Sequence, residues 1–298
     1  MRIAALTLAL GALVAAPLAT SIPAKPAAAA TATTIPGEVI DYGSHPLQAM
    51  DFYPASKDFS GPRPLIVFVH GGAWAGGDKS DSTGAAKIRH YTQNGYALAS
   101  INYRLLPEVD IEDQARDVAA AIARLRDSSA DLGVDKRRIV LMGHSAGAHL
   151  AALVATDPQW LDGVDMRPGD IAGVVLLDGA AYDVPVQIRD AGPLLGFAYQ
   201  IAFGSRLARQ DQLSPTYHAA GENARRFLLL HVERADAKRQ AEILGEDLNA
   251  EGTDAQVMAF PGRGMEGHNL INAMLGRSDS PATVPVDEWL AATVGKAR

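Results

Sequence analysis

Residues 138–156 constrain the chain more tightly than any other stretch. Residues 138–142, apolar after Arg138, have the character of a buried strand and 146–156 that of an Ala- and Leu-rich helix, with Gly143-His144-Ser145-Ala146-Gly147 at their joint. So short a connection demands a sharp strand-to-helix turn. Glycine suits both flanking sites, because a Cβ there would collide with the neighbouring strand or helix. Ser145 is left exposed at the tip, at a helix N-terminus whose N–H groups and dipole favour developing negative charge.

The rest of the chain repeats this alternation, which points to an α/β fold with a mostly parallel central sheet covered by helices on both faces. Strands are expected at 38–42 and 47–53, joined by a turn at Gly43-Ser44 and ended by Pro54. Others are expected at 65–69, 96–102, 171–177, 227–232 and 255–260; the run Leu65-Ile-Val-Phe-Val69 is apolar throughout, as a strand buried on both faces requires. Helices are expected up to about Gly95, over 111–126, over 238–251 and from about 268 to 275. Residues 111–126 carry a stripe of Ile111, Ala115, Val118, Ala119, Ile122 and Leu125. Residues 182–223 break the alternation. Their apolar group of Leu194, Leu195, Phe197, Tyr199, Ile201 and Phe203 suggests an insertion over the carboxyl ends of the strands.

The first thirty residues have the composition of an address. Arg2 precedes an uncharged run over 3–16, and small residues and prolines lead to Ala27-Ala28-Ala29-Ala30, the pattern of a secretory signal peptide, with a biased Ala-rich tail as the alternative. The run is shorter than the ~20 residues of a spanning helix and nothing similar follows, so no membrane anchor is expected and the protein is expected to be secreted or periplasmic. That leaves one domain over 31–298, of about 265 residues, long enough for a well-buried interior. Without residues 1–30, which hold Arg2 and Lys25 and no acid, 25 basic residues face 34 acidic ones, a net charge of −9. Such a surface does not attract phosphate backbones, so nucleic acid is not expected as a partner. Cysteine is absent, which removes disulfides, thiolate nucleophiles and cysteine metal sites.

The chemistry expected of Ser145 needs three supports. Acyl transfer creates an oxyanion, and His70-Gly71-Gly72-Ala73-Trp74, directly after 65–69, has the glycines to turn backbone donors inward; Gly72 and Ala73 are the expected donors, joined by the N–H of Ala146. His70 precedes the turn and is expected to tie it down. A serine hydroxyl also needs a base, and the base an acid to hold its tautomer. His268 is the only one of the eight histidines beyond the last expected strand. Asp236, at the start of the helix after 227–232, is the expected acid, although a lone acid there is often only a cap. Glu233, Asp178 and Asp183 are also within reach. Trp74, Leu194, Phe197, Tyr199 and Phe203 either line an aromatic or acyl pocket or pack beneath the loop. Ser214-Pro215 has the form of a helix start, a structural role.

His70-Gly-Gly-Ala-Trp74, Asn102-Tyr103-Arg104, Gly143-His-Ser-Ala-Gly-Ala-His149 and the later Asp236 and His268 resemble the α/β-hydrolase superfamily over nearly the whole chain after residue 30. Within it they look most like the esterase branch of feruloyl-esterase-like carboxylesterases, hormone-sensitive-lipase-like enzymes and arylformamidases. The resemblance implies the order Ser145, Asp236, His268 and hydrolysis of a small-molecule ester, or of an aryl amide, without cofactor or metal. Two departures stand out. Ala73 replaces the third glycine of the lipase-like loop and is followed by Trp74, which leans toward the feruloyl-esterase and formamidase side. Val232-Glu-Arg-Ala-Asp236 lacks the glycine that often follows at the acid. A binding protein without activity on the same scaffold is the alternative of a different class.

Overall fold

A computed structural model describes residues 35–295, so the leader expected at 1–30 lies outside the described residues. In chain order the elements are β1 (Glu38–Asp41), β2 (Ala49–Tyr53), β3 (Arg63–Val69), α1 (Lys79–Ser82), α2 (Ala85–Gln93), β4 (Ala97–Ile101), α3 (Ile111–Asp127), β5 (Val134–His144), α4 (Ala146–Thr156) and α5 (Pro158–Asp162). Next come β6 (Gly173–Leu177), α6 (Val184–Asp190), α7 (Gly192–Phe203), α8 (Leu207–Gln212), α9 (Pro215–His218), β7 (Arg226–Glu233), α10 (Ala235–Ala250), β8 (Asp254–Arg263), α11 (Gly264–Met274) and α12 (Thr283–Val294).

The strands form one sheet in the order β1-β2-β4-β3-β5-β6-β7-β8. β1 and β2 pair antiparallel, as do β2 and β4; every pair from β4 to β8 is parallel. Side chains alternate across the pleat, and β3 shows the consequence. Leu65, Val67 and Val69 belong to one buried cluster with Ile122 of α3 and Leu150 of α4, while Ile66 and Phe68 belong to another with Ile271 of α11 and Trp289 of α12. A strand buried on both faces must be apolar throughout, which is why this one has no polar alternation. The Ile111 stripe of α3 is buried, and Asp110 caps that helix by accepting from the Asp113 N–H at 2.9 Å. α4 is buried along its entire length, as a helix apolar all round must be.

Three features differ from the sequence expectation. β8 runs on to Arg263, and α11 begins at Gly264, so 261–264 is not a free turn. α12 has no counterpart in the expected elements; its Val286, Trp289, Leu290 and Val294 complete the second core. The insertion is helical, built from α6 to α9, and its two ends are tied together by the Thr216 N–H on the Tyr182 carbonyl at 3.0 Å. No helix among the described residues is long and apolar enough to cross a membrane.

Candidate active site

Ser145 stands between β5 and α4 at φ 55° and ψ −121°. A non-glycine residue there costs roughly 1–3 kcal/mol and persists only where its surroundings over-determine it. Here the surroundings are close-packed. A Cβ on Gly143 would lie 2.3 Å from the Gly147 carbonyl oxygen, and one on Gly147 would lie 2.2 Å from that of Val69. The Ser145 N–H donates to the Leu177 carbonyl at 3.1 Å, and the N–H groups of Ala148 and His149 donate to the Ser145 carbonyl at 3.0 and 3.2 Å.

The loop after β3 crosses this elbow in contact with it: a Cβ on Gly71 would come within 3.0 Å of the Ser145 Cβ. Gly72, Ala73 and Trp74 follow at φ 125°, 52° and 61°. The Gly72 and Trp74 carbonyls are taken up by other donors. Gly72 O accepts from Ala75 and Gly76 at 3.1 and 3.0 Å, and Trp74 O accepts from the Leu106 N–H at 2.9 Å and the Gln114 amide at 2.7 Å. Among the described residues the N–H groups of Gly72 and Ala73 meet no protein acceptor. Ala146 opens α4, where a first-turn N–H has no partner within the helix. His70 ties the loop down as expected: its ring bonds the Gly71 carbonyl at 2.8 Å and stacks on Tyr103, whose hydroxyl donates to the His70 carbonyl at 2.9 Å. Burial pushes its imidazole below the ordinary range, which keeps it neutral.

His268 lies in α11 with Nδ1 2.7 Å from Oδ2 of Asp178, and both side chains are buried. Asp178 follows β6 directly. Its Oδ1 accepts from the Val232 N–H at 2.9 Å, and its own N–H donates to the Leu230 carbonyl at 2.7 Å. Burial opposes ionisation of Asp178. The bond from His268, the charge of Arg234 and the Val232 N–H outweigh it, and the carboxyl is held below the usual carboxylate range. The ring of His144, next to the serine, lies 4.5 Å from that of His268 and bonds the His268 carbonyl at 2.9 Å.

Asp236 therefore does not meet His268, contrary to the sequence expectation. It sits in the first turn of α10 with Oδ2 3.3 Å from Arg234 and 3.4 Å from the Gln187 amide. The cause is the length of the last two strands. β7 and β8 stay paired to Glu233 and Arg263, which carries the start of α10 beyond the histidine, while Asp178 turns in from β6 at φ 43°. Glu233 pairs with Arg263 on the surface, and Asp183 caps α6 by accepting from the Val186 N–H. Asp178, one of the alternatives, is the carboxylate that reaches His268.

The aromatic group divides. Trp74 packs edge-on to Phe203 at 4.9 Å and to Tyr199 at 6.0 Å, with Trp74 and Phe203 buried. Phe197 is 63% exposed and so does not join them. The side chain of Leu194 is outside those described. The centre of this cluster is His149, for which the sequence pattern alone predicts no separate role. Trp74 Nε1 donates to its Nδ1 at 3.3 Å, and its Nε2 donates to the Leu213 carbonyl at 2.9 Å. Burial, only partly opposed by that second bond, pushes its imidazole down to about 4. It is therefore neutral, and its fixed offset from the elbow serine within Gly143-His-Ser-Ala-Gly-Ala-His149 is the signal that marks it.

The fold has solved counterparts. Esterase B from Lactobacillus Rhamnosis superposes with a TM-score of 0.70 at 22% identity, covering 87% of this chain and 86% of that one. The apo form of Thermogutta terrifontis esterase 2 gives a TM-score of 0.70 at 21% identity, covering 88% and 96%. This chain has the α/β-hydrolase fold. Residues 50–166 match the family model BD-FAE, a span that contains the loop after β3 and Ser145 and ends before Asp178 and His268. A probable isoprenylcysteine alpha-carbonyl methylesterase of Arabidopsis thaliana is 38% identical over 113 residues, 38% of this chain and 23% of that protein. Esterase LipC of Mycobacterium tuberculosis is 35% identical over 122 residues, 40% of this chain and 30% of that protein. The chain thus spans between about a quarter and a third of the length of these curated relatives.

Proposed function

We propose that this protein is a serine esterase that cleaves carboxylic esters through an acyl-enzyme on Ser145, with His268 as base and Asp178 as its acid. The observation that carries the proposal is the 2.7 Å bond from His268 Nδ1 to Asp178 beside a serine at positive φ. With Nδ1–H donating a hydrogen bond to the Asp178 carboxylate, the Nε2 lone pair is free to take the Ser145 hydroxyl proton as Oγ attacks the ester carbonyl. The oxyanion of the tetrahedral intermediate is met by the N–H groups of Gly72, Ala73 and Ala146, fixed before the reaction. His268 then passes its proton to the departing alkoxide. Water, deprotonated by the same imidazole, releases the acid.

Trp74, Tyr199 and Phe203 border the substrate side, a role supported by the position of Trp74 directly after the oxyanion donors. Residues 1–30 serve as an export signal, a role that rests on their composition. Two measurements test the function. A fluorophosphonate probe should label wild type once and Ser145→Ala not at all. A panel of short and long acyl esters, feruloyl esters and N-formyl aryl amides should show ester turnover; turnover confined to the formyl amides would make the enzyme a formamide hydrolase instead.

A further inference from the structure

Arg234 holds Asp178 in two places. Its Nε lies 3.2 Å from Oδ2, the oxygen that also bonds His268, and its Nη2 lies 3.3 Å from the Asp178 main-chain carbonyl. On its far side Nη1 faces Asp236 Oδ2 at 3.3 Å, and Asp236 accepts in turn from the Gln187 amide. Asp178 sits at φ 43°, which a residue with a side chain keeps only when its neighbours hold it there. The Leu230 carbonyl, the Val232 N–H and the Arg234 guanidinium are those neighbours, all from the end of β7 or just past it.

We infer that Arg234 is a positioning residue for the hydrolysis proposed above: it clamps the carboxylate and backbone of Asp178 together under His268, and Asp236 acts on the site only through Arg234. The inference rests on the serine-esterase function. One effect is geometric, since a planar guanidinium bridges a side-chain and a main-chain oxygen as an ammonium cannot. The other is electrostatic. A cation on Oδ2 opposes the positive charge that His268 gains during catalysis, so its removal strengthens the attraction of Asp178 for imidazolium and the histidine keeps its proton to higher pH.

The other charged and titratable groups around His268 are few. From β5 comes His144, buried and neutral. From α2 comes Lys87, whose ammonium bonds the Asn272 carbonyl of α11 and is pushed down to about 7 by burial. His231 of β7 is buried on the Val232 carbonyl, Glu233 turns outward onto Arg263 of β8, and Glu266 is exposed on α11 itself. Lys87 titrates in the working range, but its surroundings do not change when Arg234 is replaced.

The experiment compares Arg234→Met, Arg234→Lys, Asp236→Asn and the Arg234→Met/Asp236→Asn double variant by kcat, KM and the pH profile of p-nitrophenyl acetate hydrolysis, each checked for folding by circular dichroism. Arg234→Met should lower kcat about tenfold with KM little changed and move the acid limb of kcat/KM upward by about half a unit to one unit, the low end of the effect of a nearby charge. Arg234→Lys should return the limb but only part of kcat. Asp236→Asn should cost severalfold at most alone and nothing further in the Arg234→Met background, since its influence runs through the arginine. An unmoved limb in Arg234→Met, or an Asp236→Asn loss that persists without Arg234, overturns the inference. A second readout needs no turnover: in Ser145→Ala protein, NMR titration of the His268 imidazole should show the same upward shift on Arg234→Met. Absence of ester hydrolysis in wild type would overturn the esterase function, while this titration still decides the clamp.

Discussion

His144 Nε2 donates to the main-chain carbonyl of His268 at 2.9 Å, so the residue preceding the elbow serine is bonded to the backbone of the histidine that meets Asp178. The bond uses none of the hydrogen-bonding capacity of the His268 ring. Nδ1 stays with Asp178, the arrangement that leaves Nε2 for the base role proposed above. The end of β5 and helix α11 are thereby joined by an imidazole rather than by a flexible side chain. That imidazole has to be neutral to hold its place beside another histidine, and burial followed by the neighbouring His268 pushes it down to about 3.

Asp178→Asn should lower kcat by up to ~10⁴-fold while leaving the fold intact, because an amide favours the wrong tautomer of His268. Asp183→Asn, which alters only the cap of α6, should leave kcat within severalfold of wild type. Steady-state kinetics on one short-chain ester, with both variants checked for folding, decides the assignment. If Asp178→Asn retained wild-type kcat, the acid would have to lie elsewhere.

Acid should destabilise the fold well above the carboxylate range. His144 and His149 are buried with imidazoles pushed down to about 3 and about 4, whereas in the unfolded chain they titrate near ~6.5. Between these values the unfolded state binds protons that the native state refuses, so stability is present above about pH 6.5 and is lost as pH falls. Two such sites give a slope near 2.7 kcal/mol per pH unit at most, from ~1.36 per proton. Urea melts in steps from pH 7 to 5 should show the fall, and His149→Gln should flatten it. A stability that did not change over that range would refute the neutral, buried assignment of both histidines.

The parts of the site legible in the sequence are those fixed by neighbouring residues. Gly143 and Gly147 announce the elbow because the chain has no other way to turn from 138–142 into 146–156, and Gly71-Gly72 announces the loop for the same local reason. The acid was not legible in this way. Asp178, Asp183, Glu233 and Asp236 all follow apolar strands, and the choice between them depends on the register of β7 against β8 and on the bond from Val232 to Asp178, which link residues far apart in the chain. The pocket side of α7 was hidden for another reason. Phe197 and Ile201 form one face at a four-residue spacing and Tyr199 and Phe203 form another, and with both faces apolar no periodicity says which is buried. In α12, Pro285 and the exposed Val284 beside buried Val286 blur the stripe that tertiary packing then selects.

The exported form should begin between Ala28 and Gly37, since the small residues there suit signal peptidase. A cut in that interval leaves β1, which starts at Glu38, whole. N-terminal sequencing of protein recovered outside the cytoplasm checks this, and material that still carried Met1 would remove the export claim.

Trp74→Phe should separate the shape of the oxyanion loop from the packing beneath it. Phenylalanine keeps an aromatic ring against Phe203 and Tyr199 but has no indole N–H for His149 Nδ1. Losing that bond leaves a buried acceptor without its donor, a cost of about 1–3 kcal/mol. The loop has little else to hold consecutive positive φ angles at Ala73 and Trp74 except the two bonds to the Trp74 carbonyl, from Leu106 and Gln114. Donors that wander by a fraction of an ångström stabilise the oxyanion less, and removal of one donor outright costs roughly a hundredfold or more. Trp74→Phe should therefore lower kcat by about tenfold, short of that limit, with the thermal midpoint lowered by a few degrees. Proline at Gly72 is not a usable alternative, because φ 125° is outside the range its ring allows and a folding defect would mask the chemistry. If Trp74→Phe lost stability but kept kcat, the indole bond would serve packing alone and the donors would be held by the Gly72 and Trp74 carbonyl contacts.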